Sequence, residues 1–259
     1  MNAYETVMAA RAKGRPTGLH YIRNIFEDFT ELHGDRRFAD DKAIVTGIAR
    51  LRDMPVTVIA HEKGGDTKDK VERNFGSAHP EGYRKALRQM KLAEKFRRPI
   101  ICFVDTAGAF CGIGAEERGQ GQALAENLME MMTLKTPIVS VFIGEGGSGG
   151  AIAMAVADEV WMLQNSMYSV ISPEGCASIL WKDASRTKEA AESLKLTAQD
   201  LLGFGVIERI IEEPEDFSTV YDELKARLYE TIIKNKGLPI ETLLENRYQR
   251  FRKLGVSNP

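Results

Sequence analysis

The sequence predicts an α/β fold built on a mostly parallel sheet. One pattern occurs twice: in Pro99–Leu134 and again in Pro137–Ala157, an apolar strand is followed by a glycine-rich turn and then by a helix. Alternation in this order favours parallel strands joined by right-handed crossovers. The composition agrees, since 43% hydrophobic residues in a chain of 259 can form a full core. Because neighbouring parallel strands end at one edge of a sheet, we expect the two glycine-rich turns to lie together.

The N-terminal quarter of the chain predicts two helices and a hairpin. Residues 1–15 are expected to form a short helical arm. Thr17–Leu32 has apolar residues at helical spacing and predicts an amphipathic helix with Tyr21 facing outward. From Ala43 the apolar period changes to two, and the segments AIVTGIARL and VTVIAHE predict two antiparallel strands.

A polar loop, Gly64–Gly76, follows the hairpin. Four cations lie in it or next to it: Lys63, Lys68, Lys70 and Arg73. Their mixture with acidic residues favours a solvated loop, although cations near a site also suit ligand phosphates. Walker A spacing is absent, so the glycines of this loop do not predict a P-loop.

The remaining elements follow from apolar runs and their spacing. A helix is predicted from Pro80, a buried strand at Pro99–Val104 and a helix over Ala115–Leu134. Farther on, the segments EVWMLQ, YSVIS and GVIERII predict strands between short helices. The last two amphipathic helices, Phe217–Lys236 and Ile240–Leu254, are expected to project from the core.

The second glycine-rich turn, Gly144–Gly150, is the main candidate site, with the sequence GEGGSGG. Glycines leave their backbone N–H groups uncovered by side chains. The first N–H groups of the helix that follows have no intrahelical partner. Such a turn suits an anion or a developing oxyanion. The alternative is that the glycines only permit close packing of helix against strand.

The same turn contains G-x-S-x-G, the pattern around the nucleophile of serine hydrolases, centred on Ser148. Four histidines are available, and all precede this serine: His20, His33, His61 and His79. The α/β-hydrolase order requires the base after the nucleophile, although triads occur in other orders. A Ser-Lys dyad with Lys182 or Lys188 stays open, and a serine that simply fits a crowded turn is the favoured interpretation.

Composition argues against several classes of function. A net charge of −2 and a pI near 6.2 give no overall attraction to nucleic acid or to an anionic membrane. Cys102, Cys111 and Cys176 are odd in number and include no C-x-x-C pair, so they suggest neither a disulfide framework nor a zinc site. No signal peptide or membrane span is recognised, and we expect a cytoplasmic protein.

Five segments together resemble one protein family: GDRRFADDKAIVTGIARL, NFGSAHPEGYRKALR, DTAGAFCGIGAEERGQ, IGEGGSGGAIA and YSVISPEGCASILWK. In this order, across nearly the whole chain, they resemble the carboxyltransferase α subunits of bacterial acetyl-CoA carboxylase. The resemblance implies a crotonase-like (ClpP/crotonase) α/β fold, a spiral of ββα units with projecting C-terminal helices. It also implies a helical arm at residues 1–38 and a carboxyltransferase domain at residues 39–259.

The reaction implied by this resemblance moves a carboxyl group from carboxybiotin to acetyl-CoA and forms malonyl-CoA, the first committed step of fatty acid biosynthesis. An enolate and a negative ureido oxygen arise in it, and each oxyanion needs positioned N–H donors. By resemblance, the backbone N–H groups of Gly149 and Gly150 face the biotin carbonyl, and the biotin anion acts as the base.

Other implied binding residues belong to the two glycine-rich turns and to the polar loop. Those expected to bind substrate are Gly146, Gly147, Gly108, Gly112 and Phe110. Candidates for the phosphates of coenzyme A are Lys63, Lys68 and Arg73. Where the family pattern commonly reads DTPGAY, this chain has Ala107 and Phe110, so we expect a looser turn that lacks one hydroxyl donor.

The resemblance implies several partners as well. Carboxybiotin is expected on a separate biotin carboxyl carrier protein, not covalently bound to this chain. A zinc-containing β subunit completes the active site in an α2β2 assembly, beside biotin carboxylase. No metal is expected in this chain, and the chain is expected to be inactive alone.

Two other classes of function stay open. A crotonase-like hydratase, isomerase or thioester hydrolase acting as a homo-oligomer needs a positioned acid or base. Glu116 and Glu117 suit the start of a helix, whereas Glu145, inside the glycine-rich turn, suits an orienting role. The third possibility is a non-catalytic binding subunit, for which Gly149→Val would leave the assembled complex fully active.

Overall fold

A mixed sheet forms the centre of the computed structural model, which describes residues 1–255. Its strands are β1 (Glu27–Glu31), β2 (Ile44–Leu51), β3 (Met54–His61), β4 (Ile100–Thr106), β5 (Ile138–Gly147), β6 (Glu159–Leu163), β7 (Met167–Ser169) and β8 (Arg209–Ile211). Their order is β1-β2-β3-β4-β5-β6-β8, with β7 paired to the end of β5. Pairs β1–β2 and β2–β3 are antiparallel and the others parallel. The predicted hairpin and mostly parallel sheet are confirmed.

Helices pack on both faces of this sheet. They are α1 (Ala3–Ala10), α2 (Gly18–Ile25), α3 (Thr67–Glu72), α4 (Pro80–Lys95), α5 (Ile113–Glu117), α6 (Gln120–Thr133), α7 (Ser148–Ile152), α8 (Pro173–Trp181), α9 (Thr187–Leu194), α10 (Ala198–Gly203), α11 (Ser218–Lys236) and α12 (Ile240–Arg252). Short 3₁₀ turns lie at Asn74–Gly76 and Ala184–Arg186. Within residues 1–255, no helix combines the length and the apolar character needed to cross a membrane.

Alternation along β4 shows how the sheet separates two cores. Ile100, Cys102 and Val104 face one core, which also contains apolar side chains of α4 and α6. Ile101 and Phe103 face the other core, which contains side chains of α2 and α11. All five are fully buried, and burial of each large side chain contributes about 1.5–3 kcal/mol. The buried strand predicted here is therefore confirmed.

The predicted helix over Thr17–Leu32 is wrong in its second half. Helix α2 ends at Ile25, and Glu27–Glu31 form β1, which pairs with β2 at the edge of the sheet. The helical spacing of apolar residues is overridden because the sheet edge supplies backbone partners. Tyr21, predicted to face outward, is fully buried, and its ring centroid lies 5.3 Å from that of Phe103.

Two other predicted elements need correction. The polar loop contains helix α3, which Asp66 caps by accepting a hydrogen bond from the Asp69 amide. The helix predicted over Ala115–Leu134 is divided into α5 and α6 at Gly119, whose φ of +82° is a left-handed conformation that glycine readily adopts.

The C-terminal helices are anchored to the core rather than projecting from it. Helix α11 places apolar side chains, among them Leu224 and Leu228, in the core that α2 shares. On α12, Arg247 is fully buried, pairs with Asp158, and donates to three backbone carbonyl oxygens between α6 and β5. The sequence hides this contact because Arg247 resembles any other basic residue of a solvated helix face. The division of the chain at residue 38 remains a prediction.

Candidate active site

The two glycine-rich segments meet at the ends of β4 and β5. These strands are parallel neighbours, with Thr106 opposite Gly146. A Cβ added at Gly147 would overlap the carbonyl oxygen of Ala107, and one at Gly150 would lie 2.6 Å from the backbone nitrogen of Ala109. The expectation that both turns lie at one edge of the sheet is confirmed, and only glycine permits this approach.

The glycine-rich turn begins later than the sequence predicts. Strand β5 does not end before Gly144 but runs to Gly147, and its last three residues pair with β7. Gly144 lies against the carboxylate of Asp105 on β4, and Gly146 lies against the carbonyl oxygen of Met167 on β7 and the ring of Phe142. At these positions the packing interpretation of the glycines is correct, because any side chain would separate the elements.

Gly149 and Gly150 differ from the preceding glycines. They lie in the first turn of the short helix α7, and within residues 1–255 neither backbone amide donates a hydrogen bond. Gly150 is buried and Gly149 is half-buried. An added Cβ at Gly149 would meet only the flexible end of Leu124, at 3.1 Å. The two amides are therefore available as donors to an oxygen atom placed beside the turn.

Ser148 has an exposed side chain and a left-handed φ of +50° at the junction of β5 and α7. Such a conformation is uncommon for a residue with a side chain. The two lysines that the sequence offers as its base lie elsewhere: Lys188 lies over the ring of Tyr4, and the backbone of Lys182 caps α8. His61 is fully buried, and burial together with Lys63 lowers its pKa to about 3. The geometry resembles a nucleophile elbow, but none of the histidines or lysines considered from the sequence as its base lines the cavity beside it.

A cavity of about 430 Å³, called here the Ser148 pocket, opens beside this serine. It is lined by Ser148, Gly149, Ile152, Tyr168, Ser169, Val170, Leu194, Lys195, Leu201, Phe204 and Val206. Its walls are mostly apolar, and Lys195 is the one charged residue among them. The amide of Tyr168 donates to the carbonyl oxygen of Leu196 at 3.0 Å, which brings the connection between α9 and α10 beside β7.

Lys195 is a candidate that sequence reasoning missed. It ends α9 in a left-handed conformation, with φ of +51°. Its side chain is exposed, and within residues 1–255 it forms no ion pair. A single cation between Leu194 and Leu196 is a weak indication in the sequence. Its approach to Gly149 depends on contacts between distant segments, which no local pattern records.

A second cavity, of about 450 Å³, adjoins the other side of the end of β5, next to the N-terminal arm, and is called here the arm cavity. Its lining includes Arg11, Lys63, Asp105, Ala107 and Glu145. The ammonium group of Lys63 lies 2.7 Å from Asp105 and 2.8 Å from Glu145. Arg11 bridges Glu145 and Glu174 at 2.7 and 2.8 Å. Arg11, Lys63, Asp105 and Glu145 therefore each have an opposite charge beside them, whereas Lys70, which also lines the cavity, forms no ion pair among residues 1–255.

The matched charges decide the ionisation of Glu145. Burial alone raises the pKa of its carboxyl group, but Lys63 and then Arg11 outweigh burial and lower this pKa below its usual value. Burial likewise lowers the pKa of Lys63, and the two carboxylates reverse that shift. The Glu145 amide donates to Asp105 at 2.8 Å. Glu145 is thus a fixed anion that orients the glycine-rich segment, and it is poorly suited to donate a proton.

The predicted phosphate ligands lie in different surroundings. Lys63 is matched within the arm cavity. Arg73 pairs with Asp69 at 2.6 Å and donates to the carbonyl oxygen of Lys42. Lys68 is exposed on α3. None of the three lines the Ser148 pocket, so their binding of phosphates remains a prediction.

The turn after β4 places the other predicted residues near the meeting point. The ring of Phe110 stacks on His79 with centroids 4.0 Å apart, and a Cβ at Gly112 would meet that ring. Gly108 has a φ of +155° and open space around it. Glu116 and Glu117 are exposed in α5, as expected for residues that begin a helix.

Comparison with known proteins agrees with this geometry. A family model described as acetyl co-enzyme A carboxylase carboxyltransferase-like matches residues 1–255. The acetyl-coenzyme A carboxylase carboxyl transferase subunit alpha of Ruminiclostridium cellulolyticum is 63% identical over 257 residues, covering 99% of both chains. The subunit of the same name from Streptococcus equi subsp. equi is 61% identical over 245 residues, covering 94% of this chain and 96% of that one.

Solved structures share the fold. A transcarboxylase 12S structure aligns with a TM-score of 0.69 at 18% identity, covering 89% of this chain and 44% of that chain. This chain therefore spans less than half of that protein. A Pseudomonas malonate decarboxylase hetero-tetramer aligns with a TM-score of 0.66 at 19% identity, covering 82% and 86%. These similarities confirm the crotonase-like fold, and the chain belongs to the family of acetyl-CoA carboxylase carboxyltransferase α subunits.

Proposed function

We propose that this chain provides the part of an acetyl-CoA carboxylase active site that binds carboxybiotin, and that it acts only with a β subunit. The observation that carries the proposal is the pair of unpartnered amides at Gly149, which lines an apolar pocket with one cation, and at the adjacent Gly150. Such a combination suits a ligand with an apolar ring, a carbonyl oxygen and a carboxylate. Carboxybiotin has all three.

The residues of the Ser148 pocket fit this group. Its volume of about 430 Å³ is in the range of small-molecule sites. Carboxybiotin, when bound, supplies the carboxyl group that is transferred to acetyl-CoA. The amides of Gly149 and Gly150 donate hydrogen bonds to the ureido oxygen, and each donor contributes about 3–4 kcal/mol as negative charge develops there. Lys195 offers its ammonium group to the carboxylate.

The rigidity of these donors comes from this chain. Gly147 and Gly150 lie directly against the turn after β4, so the amides are held in place before any ligand arrives. Glu145, clamped by Lys63 and Arg11, prevents movement of the strand that precedes them. Donors fixed in advance need no reorganisation during the reaction, which is the basis of electrostatic catalysis.

Exposed apolar side chains around the Ser148 pocket support the need for a partner. Val170 is 77% exposed and Phe204 is 62% exposed, and both line the pocket. Apolar surface beside a site is typical of a protein interface. We propose that a zinc-containing β subunit covers this surface in an α2β2 assembly, and that the biotin carboxyl carrier protein, loaded by biotin carboxylase, delivers its biotin between the subunits.

The remaining binding roles are proposals of the same kind. The turn after β4, with Gly108, Phe110 and Gly112, would contact the thioester side of the substrate. Among the predicted phosphate ligands, Lys68 has the most accessible ammonium group, because the charges of Lys63 and Arg73 are already matched.

The deciding experiment is a carboxyltransferase assay run in reverse, as carboxylation of free biotin by malonyl-CoA. It is performed on this chain alone, on a matched β subunit alone and on the mixture. We expect activity only in the mixture. Hydrolysis or hydration of a thioester by this chain alone, abolished by Ser148→Ala or Glu145→Gln, would refute the proposal and support an independent crotonase-like enzyme.

A further inference from the structure

A cationic groove of about 460 Å³ runs along α4 opposite residues 33–37, and is called here the α4 groove. It is lined by Asp35, Arg36, Arg37, Arg84, Leu87, Arg88, Lys91, Leu92, Lys95 and Glu126. Six of these residues are cations and two are carboxylates. None of them lines the Ser148 pocket or the arm cavity, so the proposed carboxyl transfer leaves this groove without a role.

Half of the cations are matched. Arg84 pairs with Asp35 at 2.8 Å, Arg37 with Glu126 at 3.4 Å, and Lys91 with Glu130 at 2.8 Å. The remaining three, Arg36, Arg88 and Lys95, form no ion pair with a carboxylate among residues 1–255. The groove therefore carries a positive charge that the described chain does not neutralise.

Arg36 and Arg88 are held close together. Both donate to the carbonyl oxygen of His33, Arg36 at 2.9 Å and Arg88 at 3.0 Å. Their guanidinium nitrogens are thus no farther apart than the sum of these two distances. Burial, and after it the charge of Arg36, lowers the pKa of Arg88, and the nearby carboxylates of Asp35 and Asp40 offset only part of this shift. Two guanidinium groups that meet at one carbonyl oxygen and form no ion pair with a carboxylate among residues 1–255 resemble the arrangement that binds phosphate.

The backbone conformation of the 33–37 loop holds Arg36 close to Arg88. Gly34 has a φ of +75°, and Arg36 has a left-handed φ of +64° that is uncommon for a residue with a side chain. A Cβ at Gly34 would lie 2.9 Å from the guanidinium of Arg36. Arg88 also donates to the carbonyl oxygen of Gly34 at 3.0 Å. The loop is thereby shaped to bring Arg36 back towards α4.

We propose that the α4 groove binds a small anion with at least two phosphate groups, one held between Arg36 and Arg88 and the other near Lys95. Arg88 and Lys95 are seven residues apart on α4, so they share a face and lie about 10 Å apart along its axis. Leu92 lies between them on the same side, which offers an apolar surface to the part of the ligand that joins the phosphates. Coenzyme A and a free oligophosphate share this chemistry.

Tying the 33–37 loop to α4 would account for the hydrogen bonds of Arg36 and Arg88 but not for their charge. A neutral donor would form the same bonds to carbonyl oxygens without bringing two cations together. Like charges at short distance repel unless an anion joins them, and the nearby carboxylates are already paired with other cations, Asp35 with Arg84 and Asp40 with Lys85. The unmatched pair therefore points to a ligand rather than to a structural clamp alone.

The test is isothermal titration calorimetry of the full chain with inorganic tripolyphosphate at low ionic strength. We expect saturable binding to the wild-type chain, weakened about tenfold or more by Arg36→Gln and by Arg88→Gln, as for loss of a charge-assisted hydrogen bond. Lys91→Gln is the matched control, because this lysine already pairs with Glu130, and we expect it to change binding less than about twofold. Arg36 is exposed, so its variant keeps the test valid if Arg88→Gln unfolds.

Coenzyme A and its 3′-dephospho form are titrated in parallel to identify the source. Tighter binding of coenzyme A than of tripolyphosphate, lost in Arg36→Gln, identifies the substrate as the ligand. Tighter binding of tripolyphosphate identifies a free oligophosphate. No binding of either to the wild-type chain overturns the proposal, as does equal weakening by Lys91→Gln and Arg36→Gln, which reveals general charge attraction only.

Discussion

The arm cavity and the Ser148 pocket adjoin the same end of β5 and have nearly equal volumes, about 450 and 430 Å³. They differ in whether their charged residues form ion pairs. In the arm cavity the charges at the end of β5, Lys63, Asp105 and Glu145, neutralise one another, and Lys70 at the rim is the lining cation without an ion pair among the described residues. In the Ser148 pocket Lys195 has no acidic neighbour among the lining residues. Matched charges hold the glycine-rich segment in place, whereas an unmatched cation is available to a ligand.

The largest effect is expected from Gly150→Val, which acts on the segment between the two cavities. The new side chain would meet the Ala109 nitrogen at 2.6 Å and the Tyr83 hydroxyl at 2.8 Å. The backbone must shift to relieve these contacts, so we expect the two amides to be displaced and carboxyltransferase activity with β to fall by about 100- to 1000-fold, as for loss of an oxyanion donor.

The control for that loss is Gly121→Val, because an added Cβ at Gly121 meets nothing within 4 Å. Size-exclusion chromatography of both variants with β separates loss of catalysis from loss of assembly. Full activity of an assembled Gly150→Val complex would mean that the two amides do not bind the reacting oxygen, and would favour a non-catalytic subunit.

Lys63→Met tests the ion pairs of the arm cavity. It leaves Asp105 and Glu145 buried without their shared cation, and breaking such a cluster is expected to lower the free energy of unfolding by about 2–3 kcal/mol, discounted for partial exposure. Lys42→Met is the control, because Lys42 and Glu72 form an exposed pair worth less than about 1 kcal/mol. Urea denaturation measures both, and equal losses would show that the arm cavity does not stabilise the fold.

His61, two residues before Lys63, makes the stability of the fold sensitive to acid. Its pKa falls from 6.5 to about 3 on folding, so between these values the unfolded chain binds a proton that the folded chain does not. Stability is therefore lost as the pH falls, by about 1.4 kcal/mol per pH unit. Between pH 6.5 and about pH 5, above the usual carboxyl range, we expect His61→Met to remove this slope. If the free energy of unfolding of the variant kept the same dependence on pH, groups other than His61 would cause it.

Lys195→Gln tests the unpaired cation of the Ser148 pocket. In malonyl-CoA formation from carboxylated carrier protein, we expect KM for the carrier to rise about tenfold, the cost of one charge-assisted hydrogen bond. Folding should be unaffected, because the side chain is exposed. Lys188→Gln is the control, since Lys188 lies over the Tyr4 ring, away from the pocket. Equal effects of the two substitutions would argue against a role for Lys195.

The smallest effect is expected from Ser148→Gly. Glycine adopts the φ of +50° without strain, so the free energy of unfolding should rise by about 1 kcal/mol or less. Activity with β should stay within about twofold, because the neighbouring amides, not the hydroxyl, are the proposed donors. Thermal unfolding and the reverse assay measure these quantities. A large loss of activity would support the hypothesis that Ser148 acts as a nucleophile.

The sequence predicts local structure well where one force dominates. The buried strand at Pro99–Val104 and the helix from Pro80 follow from apolar runs and a proline start, and the structure confirms both. The helix predicted through Leu32 is wrong, because pairing with β2 outweighs helical periodicity from Phe26 onward. The meeting of the two glycine-rich turns was predictable, since parallel strands impose it.

The candidate site is only partly visible in the sequence. Gly149 and Gly150 were identified from an unusual density of glycine and from the family resemblance. The partners of Glu145 could not be identified from the sequence, since Arg11 lies 134 residues away along the chain. Whether Gly144 provides a donor or a close contact is decided by Asp105, which only the fold brings against it. Long-range contacts of single charged residues have no periodic pattern to reveal them.

The buried Arg247 has a consequence for how the chain is made. Its guanidinium satisfies the carbonyl oxygens of Met131, Leu134 and Thr136, across as many as 116 positions of sequence. During synthesis these oxygens emerge from the ribosome long before their donor, and contacts between such distant residues form slowly. Until α12 arrives, these three carbonyl oxygens lack their donor, so the connection from α6 into β5 reaches its final packing only after the rest of the sheet has been synthesised.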